Sequence, residues 1–278
     1  MRTENTTWLI TGCSSGFGRQ LALHLLREGR QVVATARRLD SIEDLGAHAN
    51  ATLLALDVTD AGQCASVVAE VQRRLGRLDV VVNNAGIGYF AAVEETPPSA
   101  IDRLFAVNYR GTANMIQAAL PVMRAQRRGT LANLTSIGGL CGYPAVGHYC
   151  ASKFAVEGLS DALRHEVAPL GIHVMTIEPS AFRTEWAGSA EAAADAIADY
   201  DATAGQARRA YHQSVGRQPG DPARAAAAIV QAIDAQSPPE RLLLGQRAHE
   251  DAVRKIDRMR EEFLRWRDAA INADFPQT

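Results

Sequence analysis

Short apolar runs rich in β-branched residues alternate along the chain with segments whose apolar positions repeat every three or four residues. An apolar run of this kind indicates a buried strand, and the longer period indicates a helix. Strands that alternate with helices predict a parallel sheet, and the continuously apolar run at 80–82 indicates that helices cover both faces. The expected fold is therefore a doubly wound α/β sheet. Its predicted strands are residues 7–11, 31–36, 52–56, 78–83, 130–135, 172–177 and 241–244.

Two regions depart from this alternation. Residues 183–217 form a long, alanine-rich insertion after the sixth strand, where such folds place a cover over the ligand crevice, so we expect a substrate lid. Residues 246–278 predict a C-terminal helical extension, and residues 1–182 and 218–245 complete the core of a single domain. In the extension one apolar helical stripe is expected to dock on its own domain, with a partner surface as the alternative. The stripe consists of Val253, Ile256, Met259, Phe263 and Trp266.

Composition narrows the class of protein. The 278 residues are 47% hydrophobic and 22% charged, which is typical of a globular chain that can bury a sizeable core. A formal net charge of −2 gives no field that would gather nucleic acid or an anionic membrane, so we expect neither as a partner. No apolar run approaches about 18 residues, so we expect no spanning helix and a cytoplasmic location.

The four cysteines lack C-x-x-C spacing and are interpreted as reduced packing residues, with no metal site.

A glycine-rich turn, residues 11–18, follows the first strand and leads directly into an apolar helix. Glycine lets the backbone approach a pyrophosphate, whose charge is met by the N–H groups at the start of the helix. The spacing is G-x-x-x-G-x-G and not G-x-G-x-x-G, but the strand-then-helix setting is the context that such a motif requires. We therefore expect a Rossmann-type dinucleotide site. Its contacts here are Gly12, Ser14, Ser15, Gly16, Phe17 and Gly18.

The end of the second strand bears on the choice of cofactor. An acidic residue there would bind the ribose 2′-hydroxyl of NAD, whereas an arginine accepts the 2′-phosphate of NADP. This strand ends in Arg37-Arg38 without a carboxylate, and the guanidinium fork suits phosphate. The pattern favours NADP over NAD, with Arg37 as the contact. The alternative is that both arginines only decorate a loop.

Tyr149 and Lys153 are four residues apart in a predicted helix and would share one face of it. A phenol beside an ammonium can carry out acid/base chemistry, although many such pairs are ordinary surface neighbours. Three further motifs accompany the pair: the glycine turn, Asn83-Asn84-Ala85-Gly86 and Ser136, which precedes Tyr149 by 13 positions. Together they resemble the short-chain dehydrogenase/reductase family over nearly the whole chain. Residues 136–140 and 149–155 are similar to the branch that contains 17-hydroxysteroid and retinol dehydrogenases.

The resemblance implies a role for each reactive side chain. Tyr149 would be the general acid/base, and Lys153 would stabilise its anion and hold the ribose hydroxyls. Ser136 would donate a hydrogen bond to the substrate oxygen. Asn108 would hold a water for proton relay, although a polar residue within a helix often only bonds backbone or solvent.

The resemblance also implies further cofactor contacts. Asp57 and Val58 would meet the adenine, although Asp57 could equally be a turn residue. Ser180 stands where the family has glycine, and a positive φ there would cost of order one kcal/mol. The other implied contacts are Asn84, Ala85 and Gly86 for the ribose, Pro179 and Thr184 for the nicotinamide, and Tyr149 and Lys153.

Tyr143, Phe182 and Trp186 are candidates for the substrate wall beside Ser136 and Tyr149, although each aromatic could simply pack. The expected function is an NADP-dependent oxidoreductase that interconverts an alcohol and a ketone or aldehyde, with an apolar substrate. The alternatives are a non-catalytic NADP-binding regulator and an epimerase or dehydratase. The resemblance further implies a homodimer or homotetramer, paired through residues 98–127 and 149–169.

Overall fold

The structure, a computed structural model, describes residues 6–193 and 196–275. Within them the strands begin and end close to the sequence-based expectation, and β7 continues to Pro179. The strands are β1 (Thr7–Ile10), β2 (Gln31–Ala36), β3 (Ala51–Ala55), β4 (Val80–Asn83), β5 (Tyr89–Phe90), β6 (Gly129–Leu134), β7 (Ile172–Pro179), β8 (Glu191–Ala192) and β9 (Arg241–Leu244).

Helices follow most of the strands. A π-helical turn, Phe105–Arg110, joins the third and fourth helices, and a 3-10 turn, Ile137–Gly139, follows β6. The α-helices of the described residues are α1 (Gly16–Arg27), α2 (Ala61–Leu75), α3 (Pro98–Leu104), α4 (Gly111–Gln126), α5 (Gly147–Val167), α6 (Trp186–Ser189), α7 (Gln206–Gln213), α8 (Pro222–Asp234), α9 (Gln246–Arg265) and α10 (Arg267–Ile271).

Seven strands form one parallel sheet in the order β3-β2-β1-β4-β6-β7-β9. The strand order reverses direction at β1, so the carboxyl ends of β1 and β4 open a crevice for a ligand. The doubly wound α/β expectation is therefore confirmed. A separate two-stranded pairing of β5 with β8 was not predicted, because strands of two residues carry no periodic signal in the sequence.

Successive residues of the strands face two separate apolar cores. Trp8 and Ile10 of β1 pack on the side covered by α1 and α8. Leu9 points to the opposite side, which α2, α4 and α5 cover. Each buried side chain of this size contributes about 1.5–3 kcal/mol, and the two cores together hold the strand ends rigidly at one edge.

Side-chain caps fix where two of the helices begin. Asp60 accepts the Gln63 backbone N–H at 3.0 Å before α2, and Asp221 accepts the Ala223 N–H at 2.8 Å before α8. In both helices the aspartate occupies the N-cap position, where its carboxylate satisfies an otherwise unpaired backbone N–H.

The apolar stripe of α9 does not dock on the domain, so that expectation is wrong. Ala248 and Ala252 are buried against Ile137 and Cys141, but Ile256 is 62% exposed and Trp266 is 63% exposed. A 20-residue helix is about 30 Å long, and only its first two turns reach the core. Spacing predicts which face of a helix is apolar but does not predict how far the domain surface extends beneath it.

In the part of the chain that the structure describes, no helix combines the length and the apolar character needed to cross a membrane.

Candidate active site

A cavity of about 870 Å³ opens at the carboxyl ends of the parallel strands. One end is formed by the glycine-rich turn after β1, and the other by aromatic side chains from distant segments. Ser136, Tyr149 and Lys153 lie between the two ends. This is the edge at which open α/β sheets bind their ligands.

Backbone geometry at the turn needs glycine. Gly12 and Gly16 have φ of 72° and 59°, in the left-handed region that side chains disfavour. A Cβ on Gly18 would lie 2.4 Å from Asn84 Nδ2 and 2.6 Å from the Gly12 carbonyl oxygen. Asn84 Nδ2 donates to the carbonyl oxygens of Thr11 and Gly12 at 2.8 and 2.9 Å, and so ties the turn to the end of β4.

The first turn of α1 fits a phosphate. Ser15 occupies the N-cap position, but its side chain makes no capping hydrogen bond, unlike the aspartates before α2 and α8. The first residues of α1, Gly16 and Phe17, line the cavity, and among the described residues no side chain accepts from their N–H groups. Such a helix start attracts an anion.

The two arginines after β2 have different partners. Arg38 binds Asp40, with Nε 3.1 Å from Oδ1. Arg37 lines the cavity, and in the described residues it makes no ion pair or side-chain hydrogen bond. Asp57 also lines the cavity, and its Oδ1 accepts from the Thr59 N–H and hydroxyl at 2.9 and 2.7 Å, so it is a turn residue as well. Val58 lies beside it in the same wall.

Three side chains converge at the centre of the cavity. Tyr149 is on the first turn of α5, and Lys153 follows one turn later with Nζ 5.8 Å from the Tyr149 ring centroid. Ser136 is the second residue after β6, and its Oγ accepts the Gly138 N–H at 2.9 Å. Lys153 Nζ donates to the carbonyl oxygen of Leu134 at 2.9 Å. The lysine is thereby fixed to the strand that presents Ser136.

Burial shifts the pKa values of both groups on α5. Desolvation raises the pKa of Tyr149 above that of a free phenol, while the neighbouring Ser136 hydroxyl lowers it. Tyr149 is therefore a protonated phenol at neutral pH in this structure. Desolvation also lowers the pKa of Lys153 to about 8, against the opposing effect of Glu157. An ammonium with that pKa is mostly charged at pH 7.

Asn108 lies fully buried in the π-helical turn. Its Nδ2 donates to Ser152 Oγ at 2.9 Å and to the Ile87 carbonyl oxygen at 3.0 Å. Its Oδ1 accepts the Ile87 N–H at 2.8 Å and retains one lone pair. A Cβ built on Gly86 would lie 3.3 Å from this Oδ1 and 3.4 Å from Lys153 Nζ, so both atoms face the space beside Gly86.

The segment after β7 carries the implied nicotinamide contacts. The Pro179 carbonyl oxygen accepts from Ser136 Oγ at 3.4 Å, and Thr184 lies opposite Gly16. Ser180 does not have a positive φ, so the strain considered for a residue in place of glycine does not arise. Gly245 instead, with φ of 91°, makes room for the Ser180 side chain.

Aromatic rings enclose the other end of the cavity. Trp186 lies 4.9 Å from Tyr149 and 5.6 Å from Phe90 between ring centroids, and Phe90 stacks on Tyr211 at 5.1 Å. Phe182 is placed elsewhere, because its ring packs on Phe17 of the glycine turn at 5.0 Å. It therefore lines the cavity at the phosphate end.

Tyr143 is held in place by two residues of the C-terminal helix α9. Its hydroxyl donates to Asp251 Oδ2 at 2.7 Å, and the Arg247 guanidinium lies 5.9 Å from its ring centroid. Both partners belong to α9, so the C-terminal extension completes this wall. The sequence alone does not reveal Asp251, Arg247, Phe90 or Tyr211 as site residues, because no local motif links residues so far apart.

The sequence of residues 6–195 matches the family described as short chain dehydrogenase. The chain belongs to the short-chain dehydrogenase/reductase family. It is 33% identical over 267 residues to Oxidoreductase BOA17 of Botryotinia fuckeliana, which covers 95% of this chain and 97% of that protein. It is 41% identical over 192 residues to estradiol 17-beta-dehydrogenase 1 of Rattus norvegicus, over 65% of this chain and 55% of that protein. The resemblance to the 17-hydroxysteroid branch is confirmed.

Solved structures agree with the fold and the cofactor class. A short-chain dehydrogenase from Streptomyces avermitilis is 40% identical with a TM-score of 0.90, and the match covers 98% of this chain and 100% of that one. ElxO with NADP bound is 27% identical with a TM-score of 0.72, covering 86% and 96%. A 3-ketoacyl-(acyl-carrier-protein) reductase from Brucella melitensis complexed with NADH is 26% identical with a TM-score of 0.73, covering 86% and 95%. The protein is an NAD(P)-dependent oxidoreductase whose cofactor is a nicotinamide dinucleotide.

Proposed function

We propose that the protein is an NADP-dependent enzyme that interconverts an alcohol with a ketone or aldehyde, with Tyr149 as the general acid/base. The observation that carries this proposal is that Tyr149 and Ser136 both line the cavity, between the glycine-rich turn and the aromatic wall. A carbonyl oxygen placed at these two hydroxyls has an acid and a second donor within reach.

The chain's own groups supply the proton chemistry. Because Tyr149 is protonated at neutral pH, it donates its phenolic proton to the carbonyl oxygen during reduction. Ser136 donates a hydrogen bond to the same oxygen as negative charge develops there. The Lys153 ammonium stabilises the resulting phenolate. When bound, the reduced nicotinamide supplies the hydride.

The cofactor-holding residues follow from the cavity lining. The glycine turn would hold the pyrophosphate, Asp57 and Val58 the adenine, and residues 84–86 the ribose. Pro179 and Thr184 would hold the nicotinamide. Arg37, which faces the cavity without an acidic partner among the described residues, supports NADP because it can meet a 2′-phosphate.

Asn108 supports a proton relay behind Lys153. Its Oδ1 and the Lys153 Nζ face the same space beside Gly86, and Oδ1 keeps one lone pair. A water held there would return a proton to Lys153 and so to Tyr149.

The substrate end supports an apolar ligand. Trp186, Phe90 and Tyr211 surround the position beside Tyr149, and residues 183–217, the proposed lid, contribute two of these rings. The steroid substrate named for the Rattus relative is of this class, so a steroid ketone belongs in any substrate panel.

The proposal also includes the oligomeric state of the protein and its cellular compartment. We expect a homodimer or homotetramer formed through residues 98–127 and 149–169, and the mass of the purified protein in solution tests it. The four cysteines are buried free thiols, which fits a reducing, cytoplasmic compartment.

The direct experiment mixes the purified protein with NADPH and a panel of ketones and aldehydes, and follows the loss of reduced nicotinamide absorbance. We expect cofactor oxidation with one or more bulky apolar carbonyls. Tight NADPH binding without oxidation would favour a regulatory protein. Product formation without net cofactor consumption would favour an epimerase or dehydratase.

A further inference from the structure

Two buried carboxylates lie beneath the reaction centre and take no part in the proposed chemistry. Glu157 is on α5, one turn after Lys153, and Glu178 is on β7, next to Pro179. They are 5% and 0% exposed. One oxygen of each is satisfied, because Thr135 Oγ1 donates to Glu157 Oε1 at 2.5 Å and Thr176 Oγ1 donates to Glu178 Oε1 at 2.6 Å.

The second oxygen of each carboxylate, Oε2, is buried and has no hydrogen-bond partner in the described structure. A buried acceptor left in this state destabilises the fold, and it does so more strongly when it is charged. Arg241 Nε lies within 4.0 Å of one oxygen of each carboxylate, so the two groups are neighbours, and the charge of Glu157 raises the pKa of Glu178. In the described structure, therefore, both of these neighbouring carboxylates lack a hydrogen-bond donor at Oε2.

The charged groups around the pair do not supply the missing donors. Arg241 Nε on β9 lies 3.7 Å from Glu157 Oε2 and 4.0 Å from Glu178 Oε1, beyond hydrogen-bond range. Its Nη2 instead binds Asp161 Oδ1 at 2.5 Å. Arg164 of α5 binds Asp161 and the Glu240 carbonyl oxygen, and the Lys153 ammonium binds Leu134.

We propose that Glu157 and Glu178 share a single proton, as Oε2–H···Oε2, and that this acid–carboxylate pair is a positioning element for the reaction centre. One proton satisfies both orphaned oxygens at once and leaves a single negative charge where two would repel.

The pair joins three elements directly under the reacting groups. Leu134, Thr135 and Ser136 are consecutive at the end of β6. The Leu134 carbonyl oxygen accepts from Lys153 Nζ, and Thr135 Oγ1 donates to Glu157 Oε1. These contacts fasten β6 to α5 one helical turn apart. On β7, Glu178 precedes Pro179, whose carbonyl oxygen accepts from Ser136. The shared proton therefore connects α5 to β7 beneath Ser136 and Lys153.

The sign of the pH dependence follows from the location of the proton. Burial and the neighbouring Glu157 raise the pKa of Glu178 to about 8, whereas an unfolded glutamate titrates near about 4.3. Between these values the folded chain holds one proton that the unfolded chain has lost. Stability is therefore greatest at the acidic side of this window and falls as pH rises through it. Near its middle the unfolding constant rises by up to about tenfold per pH unit from this group.

The first test measures unfolding of the cofactor-free full chain by urea at several pH values between about 5 and 8, so it is independent of the proposed function. Glu178→Gln keeps a hydrogen donor toward Glu157 but cannot titrate. We expect the unfolding constant of this variant to depend less steeply on pH than that of the parent, by a factor of about ten per pH unit. Asp161→Asn, which also removes an acid near Arg241, should keep the parent dependence. Equal dependence in the parent and Glu178→Gln would overturn the proposal.

The second test separates positioning from simple stability and rests on the proposed function. Glu178→Ala leaves Glu157 Oε2 without a donor, and we expect kcat to fall about 10- to 100-fold, with Glu178→Gln restoring most of it. If Glu178→Ala does not fold, the infrared carbonyl stretch of a protonated carboxyl provides the second readout. That band should be present in the parent near neutral pH and absent from Glu178→Gln, and its presence in both would overturn the proposal.

Discussion

The two ends of the cavity are built in different ways. The phosphate end is a continuous stretch of backbone, residues 11–18, whose glycines and free N–H groups form the surface. The substrate end consists of side chains from β5, the loop before α5, residues 183–217 and the first turns of α9. A backbone site is specified by a local motif, whereas a side-chain site is specified by tertiary packing. The two ends should therefore respond separately to substitution, and they should meet at the central group of Ser136, Tyr149 and Lys153.

The largest effect is expected at that meeting point. Tyr149→Phe removes the phenolic proton but keeps the ring against Trp186, so kcat should fall by about 10³-fold or more. Affinity for NADPH, measured by fluorescence titration, should change by less than about threefold. A variant that turns over as fast as the parent would exclude Tyr149 as the acid/base.

At the phosphate end, Gly18→Ala should weaken dinucleotide binding by about 10- to 100-fold. The added methyl would lie 2.4 Å from Asn84 Nδ2, and overpacking of this kind costs about 1–3 kcal/mol. Isothermal titration with NADPH measures the loss. Gly142→Ala is the matched control, because a Cβ there has nothing within 4 Å and should leave binding unchanged.

The features that the sequence predicts are those that depend on a short stretch of the chain. The parallel sheet, the glycine turn and the residues at the strand ends could be predicted from the sequence, because each depends on periodicity or on spacing within one βα unit. Asp251 and its contact with Tyr143 span 108 positions, and no local pattern encodes such a contact. The exposure of the apolar stripe of α9 could not be predicted for the same reason, because helical spacing carries no information about what lies opposite the helix.

A smaller effect should distinguish the two cofactors. Arg37→Ala should weaken NADPH binding by about tenfold and leave NADH binding unchanged, because only the 2′-phosphate needs the guanidinium. Competitive binding of the two cofactors to the variant gives the ratio directly. Arg38→Ala is the control, since Arg38 is paired with Asp40. An unchanged NADPH constant in Arg37→Ala would remove the assignment of NADP preference.

The smallest effect is expected from α9. Asp251→Ala frees the Tyr143 hydroxyl, so KM for the carbonyl substrate should rise by about three- to tenfold while the NADPH constant stays the same. Asp257→Ala, on the exposed face of the same helix, should change neither value. Steady-state kinetics with the best substrate of the panel measures both. A loss of NADPH affinity in Asp251→Ala would show that the two ends are not independent.

The central claim is that a hydride passes from NADPH, bound at one end of the cavity, to the carbonyl carbon of a substrate at the other end. Following that hydride tests the claim directly. The parent enzyme is given NADPH deuterated at the transferring position of the nicotinamide, together with a ketone that it turns over, and the alcohol is examined by mass spectrometry. We expect one deuterium on the carbinol carbon for each NADPH oxidised. An alcohol without deuterium, or product that forms while the cofactor is not consumed, would show that hydride transfer to a carbonyl is not the reaction of this site.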